Sequence, residues 1–226
     1  MPADSTNEQV LARVQALNED PRFHGILVQL PMPPQIDERQ IIESLDPTKD
    51  VDGLHPFNVG KLVQGRADFV PGTPAGIQQI LLRSGHDPAG ANVVVCGRSD
   101  IVGKPVSILL QQRNATVTLC HSRTRDLSAV CRRADVLVAA TGRPRMVKRD
   151  WIKPGAAVID VGVSDVDGEL IGDVDFDAAQ GIAQRNRHGG QVRLPVHHEP
   201  GLAVEGQEVA NRRGIVGQRA GDHLSK

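Results

Sequence analysis

The chain has 226 residues, of which 39% are apolar and 23% charged, with 26 Lys and Arg against 27 Asp and Glu. That length allows one large or two modest domains around a sizeable core, and near neutrality gives no bulk-charge signal for a nucleic-acid or membrane partner. Aromatics are 2% and tyrosine is absent, so Val, Ile, Leu and Ala must fill the interior, which suits a parallel sheet covered by helices.

Residues 5–18 predict an amphipathic helix. Ser5 and Glu8 have capping-box spacing, and Val10, Val14 and Leu17 share a face. The run from Gly25 to Leu30, ended by Pro31, predicts a strand buried on both faces, because its apolar residues are continuous. Residues 37–45 predict a second helix capped by Asp37, with Ile41, Ile42 and Leu45 inward. Residues 46–60, rich in Gly, Pro and Asp, predict a loop. Thr73 and Pro74 open a helix as cap and first-turn proline, with Ile77, Ile80, Leu81 and Leu82 as its stripe.

From there the alternation is regular. Strands at 92–96, 115–120, 136–140 and 156–161 are interleaved with helices at 104–112 and 127–133, and Asp167-Gly168 predicts a hairpin turn. Such an order implies a right-handed parallel α/β sheet. Residues 184–226 hold four of the eight histidines, six arginines and seven glycines with poor apolar periodicity. They are expected to form a loosely ordered tail, or to be an expression scar or the product of a reading-frame error. Cys96, Cys120 and Cys131 are odd in number and form no Cys-x-x-Cys, so they are expected to be buried reduced thiols. The polar N-terminus and the lack of any bilayer-length apolar run give the expectation of a soluble, cytoplasmic protein with no membrane and no nucleic-acid partner.

Four stretches carry chemistry. Residues 96–105, Cys-Gly-Arg-Ser-Asp-Ile-Val-Gly-Lys-Pro, follow a strand and open a helix. Gly97 permits a tight turn, Gly103 a close approach of helix and sheet, and free N–H groups at the helix start would suit a phosphate. Ser99 stands where a second glycine would complete the dinucleotide fingerprint, so the pattern reads equally as an ordinary α/β turn. At the end of the next strand, Cys120-His121-Ser122-Arg123-Thr124 lacks the carboxylate that would select NAD. Ser122, with Arg98 and Arg123 nearby, offers donors and positive charge to a 2′-phosphate, or simply forms a solvated basic loop.

Gln29 ends an apolar strand and either points its amide into a cleft or bonds its own loop. Asp50 and Asp52 flank Val51 beside Gly53. They could bind a metal, though too few oxygen ligands are at hand for calcium; they could read the donors of a heterocycle, or form a surface turn. His24, His55 and His86 read as surface or structural groups, and the acids at 165, 167, 173, 175 and 177 as a solvated hairpin. No metal is expected.

Read together, GILVQLPMP, DPTKDVDGLHPFNVGKL, PGTPAGI, CGRSDIVGKPVS, CHSRT, ATGRP and GAAVIDVGV, in that order over residues 5–183, resemble the bifunctional methylenetetrahydrofolate dehydrogenase/methenyltetrahydrofolate cyclohydrolase family. The resemblance implies an α/β protein with a Rossmann-like parallel-sheet NADP-binding domain at 72–183 and an incomplete α/β folate-binding domain at 1–71, with residues 184–226 divergent. It implies tetrahydrofolate derivatives as substrates, NADP as cofactor, and a homodimer. Gln29 matches the glutamine that assists a proton-transferring lysine, and Asp52 the aspartate that binds the pterin. Arg98, Ser99 and Ser122 match cofactor contacts, and Gly97, Ile101, Val102 and Gly103 the phosphate-loop pattern. The family's Tyr-x-x-x-Lys segment is not found and no lysine precedes Lys49, while Gly72 replaces a cysteine and the late cofactor loop is unmatched at 187–195. The expected activity is therefore NADP-dependent oxidation of 5,10-methylenetetrahydrofolate and hydrolysis to 10-formyltetrahydrofolate, impaired by loss of the lysine segment; the alternative is an inactive NADP-binding remnant or interaction protein.

Overall fold

The computed structural model describes residues 1–179 and 182. The expected tail at 184–226 lies outside them.

Helix α1 (Asn7–Glu19) buries Val10, Val14 and Leu17 as predicted, but its capping box is Thr6 with Gln9 rather than Ser5 with Glu8. Ser5 is buried instead, its hydroxyl donating to Pro2 O at 2.7 Å. Helix α2 (Glu38–Glu43) starts at Asp37, whose carboxylate accepts from Gln40 N. The predicted strand at 25–30 makes one parallel bridge, Ile26 to Asp50. Ile26 and Val28 are buried while Leu27 is 37% exposed, so the run is covered on one face only. These elements close one apolar cluster, from Val10 to Leu45.

The expected loop at 46–60 contains a helix, α3 (Pro56–Val63), capped by His55 Nδ1 and started by Pro56. Composition hid it, because the Pro and Gly read as loop residues. Helix α4 (Gly72–Arg83) begins one residue before Thr73, with Pro71 at its cap and no side-chain cap bond, and buries Ile77 and Leu81.

Strands β1 (Asn92–Cys96), β2 (Thr116–Cys120), β3 (Val136–Ala139) and β4 (Ala157–Asp160) form a parallel sheet in the order β2-β1-β3-β4. Helix α5 (Gly103–Gln112) joins β1 to β2, and α6 (Leu127–Cys131) joins β2 to β3. One face buries Ile77, Leu81, Val106 and Leu110 against the sheet; the other buries Cys96, Cys131, Val147 and Ile152. Hairpin β5 (Val163–Val166) and β6 (Glu169–Gly172) turns at Asp167-Gly168, both at positive φ, and α7 (Phe176–Ala179) follows. The helix α3 leans on this sheet unit, Gln112 Nε2 donating to Leu62 O. No helix among the described residues is long and apolar enough to cross a membrane.

Candidate functional site

In-register parallel pairing sets Cys96 opposite Cys120. Gly97-Arg98 and His121-Ser122 therefore emerge side by side beyond the carboxyl ends of β1 and β2, where open α/β sheets bind ligands. Gly97 donates its N–H to Cys120 O at 3.0 Å. It has φ +119°, and a Cβ there would stand 2.0 Å from the Ala140 carbonyl oxygen. A Cβ on Gly103 would stand 2.0 Å from the Gly97 carbonyl oxygen. Both glycines are required by close backbone approach.

A cleft of about 530 Å³ opens at this place, lined among others by Gly97, Arg98, His121, Ser122, Thr141 and Arg143. Arg98, Ser122 and Arg143 are exposed, and no carboxylate is among the described lining residues. Ser99, Ile101, Val102 and Gly103 form the turn beside the cleft rather than its lining. The N–H groups expected to be free at the helix start are not all free. Those of Val102 and Gly103 donate to Ser99 Oγ at 3.2 and 3.3 Å, and that of Lys104 to Ser99 O at 3.1 Å. The hydroxyl engages the amides that lead into the helix through long, weak bonds that an anion could displace. Thr141, Arg143, Met146 and Trp151 escaped the sequence reading as lining residues. They reach the cleft from the end of β3 and the short 3-10 turn at Arg149–Trp151, and only the ATGRP run hinted at them.

The second group sits on the 25–31 and 46–55 segments. The Ile26–Asp50 bridge is parallel, so Gln29 and Asp52, three and two residues past it, lie toward the same end. Gln29 is half-buried and its Nε2 donates to Leu30 O at 3.0 Å. Asp50 is buried, accepting from His55 N and Asn58 Nδ2, each at 2.8 Å. Its role is to hold the start of α3, and among the described residues no group of three or more His, Cys, Asp or Glu could hold a metal. Asp52 is half-buried and accordingly raised above the usual carboxylate range, by burial first and then by the charge of Asp50. Lys49 gives its ammonium to Leu17 O, Asn18 O and Asp20 O at 2.9, 2.6 and 3.0 Å, which uses its three donors.

The acids around the hairpin are not all solvated, as the sequence suggested. Asp173 is fully buried and Asp160 is 9% exposed. The thiols are buried as expected, with Cys96 and Cys131 sulfurs 3.5 Å apart.

Two family models match this chain. The NAD(P)-binding domain of tetrahydrofolate dehydrogenase/cyclohydrolase matches residues 71–187, and the catalytic domain of the same family residues 1–52. The bifunctional protein FolD 2 of Geobacter sulfurreducens is 58% identical over 179 residues, which are 79% of this chain and 63% of that relative. The chain thus spans less than two thirds of the relative's length. Among solved structures, the Campylobacter jejuni bifunctional methylenetetrahydrofolate dehydrogenase/cyclohydrolase is 40% identical, with TM-score 0.77 over 83% of this chain and 68% of that one. The Trypanosoma brucei enzyme, complexed with NADP and an inhibitor, is 42% identical, with TM-score 0.76 over 84% and 68%. With both of its domain models matched in order along the sequence, the chain belongs to the tetrahydrofolate dehydrogenase/cyclohydrolase family.

Proposed function

We propose that this chain acts in one-carbon folate metabolism, as an NADP-dependent dehydrogenase of 5,10-methylenetetrahydrofolate and a cyclohydrolase yielding 10-formyltetrahydrofolate. Residues 1–71 would serve the folate and residues 72–183 the cofactor. The observation that carries the reading is the cleft itself: Arg98 and Ser122 stand exposed at the ends of neighbouring parallel strands, without a carboxylate in the described lining. Positive charge and a hydroxyl suit a 2′-phosphate, whereas a carboxylate would suit a free 2′-hydroxyl. The two glycine contacts draw the turn at 97–103 tightly onto the sheet ends, beside the place where a dinucleotide's phosphates would lie.

In this reading Arg98 and Ser122 hold the 2′-phosphate. Gly97, Ser99, Ile101, Val102 and Gly103 shape the phosphate turn, and Asp52 accepts from the N–H donors of the pterin. Gln29, once released from Leu30 O, orients water or a proton-transferring group. The cofactor supplies the hydride acceptor; the protein aligns the methylene carbon with it. The family resemblance also supports a homodimer joined through the cofactor-binding part and a cytoplasmic place of action.

Titration of the purified chain with the two dinucleotides tests the cofactor assignment. NADP is expected to bind at least about tenfold tighter than NAD, and Arg98→Ala to erase the difference, since a charge-assisted bond is worth about 1.5–3 kcal/mol. Equal or tighter NAD binding would overturn it. A second reading, a cofactor-binding protein without hydrolysis, is favoured by Lys49, whose ammonium is fully engaged by three carbonyls. With that ammonium withdrawn from proton transfer, the 226-residue polypeptide assayed by itself is expected to hydrolyse 5,10-methenyltetrahydrofolate about 10²- to 10⁴-fold more slowly than a bifunctional relative. Turnover near the relative's rate in a spectrophotometric assay would refute this.

A further inference from the structure

Residues 160–174 place two carboxylates in a stack behind the cleft. Asp160, at the end of β4, accepts from Asp173 N through Oδ1 at 2.9 Å and from Val174 N through Oδ2 at 3.2 Å. Asp173, fully buried, turns its own Oδ2 to the end of β3, where Thr141 N, Thr141 Oγ1 and Gly142 N all donate to it, the last two at 3.0 and 3.1 Å. Its Oδ1 is buried with no hydrogen-bond partner among the described residues. Two glycines make room for the stack: a Cβ on Gly162 would meet the Asp173 carboxyl group at 2.0 Å, and one on Gly172 would meet Asp160 Oδ2 at 2.0 Å. So deep a carboxylate, gathering three donors from one turn, fixes that turn. The turn is the cleft wall: Thr141 and Arg143 line it, and the Ala140 carbonyl abuts Gly97.

We infer that Asp173 is a positioning residue for the nucleotide cleft, setting the β3-end wall through Thr141 and Gly142 while Asp160 sets Asp173. The inference rests on the cofactor reading above. In the order β2-β1-β3, the β2 end carries Ser122, so the adenosine half belongs there and the other half of the dinucleotide crosses toward the β3 end. Asp173 therefore governs the second half alone. It also occupies the Thr141 and Gly142 amides, which leaves phosphate binding to the turn at 97–103.

The test uses the full chain and two variants. Asp173→Asn keeps the shape but loses the charge; Gly162→Ala keeps both carboxylates and crowds Asp173 with a methyl. Affinities are measured for NADP and for adenosine 2′,5′-bisphosphate, which fills only the β2 side. NADP binding is expected to weaken about tenfold in each variant, and bisphosphate binding to stay within about twofold, because one lost charge-assisted bond is worth about that factor or more. Equal weakening of both ligands would reduce Asp173 to general stability and overturn the inference. Amide hydrogen exchange gives an arm independent of cofactor: Thr141 and Gly142 should exchange slowly in the unliganded wild type and faster in the variants. Exchange at open-loop rates in the wild type overturns the anchor even if no variant folds. A wild type that is protected there but binds neither nucleotide overturns the cofactor reading instead, and the inference with it.

Discussion

Asp52, the proposed pterin acceptor, is a side chain that would serve binding against the fold. Its carboxyl is raised by burial and by Asp50, so the folded chain holds that proton to higher pH than the unfolded chain does. The unfolded state then binds fewer protons, and stability falls as pH rises from the ordinary carboxylate value through the raised one. At neutral pH the charged Asp52 weighs against the free fold, and a pterin's N–H donors would relieve it. Asp52→Asn is expected to raise the melting temperature at pH 7 while weakening tetrahydrofolate binding about tenfold or more. Folate affinity should also decline on acidification sooner than an ordinary carboxylate predicts. A lower melting temperature with unchanged affinity would assign Asp52 to structure alone. The sequence made Asp52 legible as a candidate but could not separate it from Asp50; only burial and the bonds to His55 and Asn58 do that. The burial of Asp173 is hidden in the sequence for the same reason. Alternating acids look solvated until the chain's return brings the Thr141 and Gly142 amides to one of them.

Among the elements, the strand–turn–helix at 92–112 was readable almost to the residue. Its pattern is local: a continuous apolar strand, two spaced glycines, then a helical stripe. Where pairing is tertiary, legibility ended. The apolar run at 25–30 finds one bridge, and α3 forms inside a Pro- and Gly-rich stretch because His55, Pro56 and Asp50 together start it. Gly103 packs so closely on the Gly97 carbonyl that no Cβ fits between them. Gly103→Ala must part β1 from α5 or distort the turn, and is expected to cost about 3 kcal/mol in urea unfolding, at the upper end for overpacking. NADP binding should be lost with it. A substitution tolerated at full affinity would mean that the turn does not pack this way.

The apolar cluster of residues 10–45 shares no residue with the two clusters that flank the sheet. Separate cores favour separate transitions. Denaturant is expected to unfold the chain in two steps, with NADP at about 100 times its Kd shifting only the sheet's step, by about 2.7 kcal/mol. The thiols report which step is which. The Cys96 thiol is raised well above the ordinary thiol range by its bond to Cys131 and by burial, and the Cys120 thiol is raised by burial first. Both lie in the sheet's core, so alkylation should follow the NADP-sensitive step. Labelling that tracks the other step, or a single cooperative transition, would argue for one fused core.

Lys49 reaches the last carbonyls of α1, and Asn18 on that helix binds both Ser44 O and Asp46 N. The ends of α1 and α2 and the run leading to Asp52 are thus tied at one knot. If Asp52 takes the pterin as proposed, the ligand would meet an acceptor set in place beforehand, so this segment would need little ordering on binding and more of the contact energy would remain as affinity.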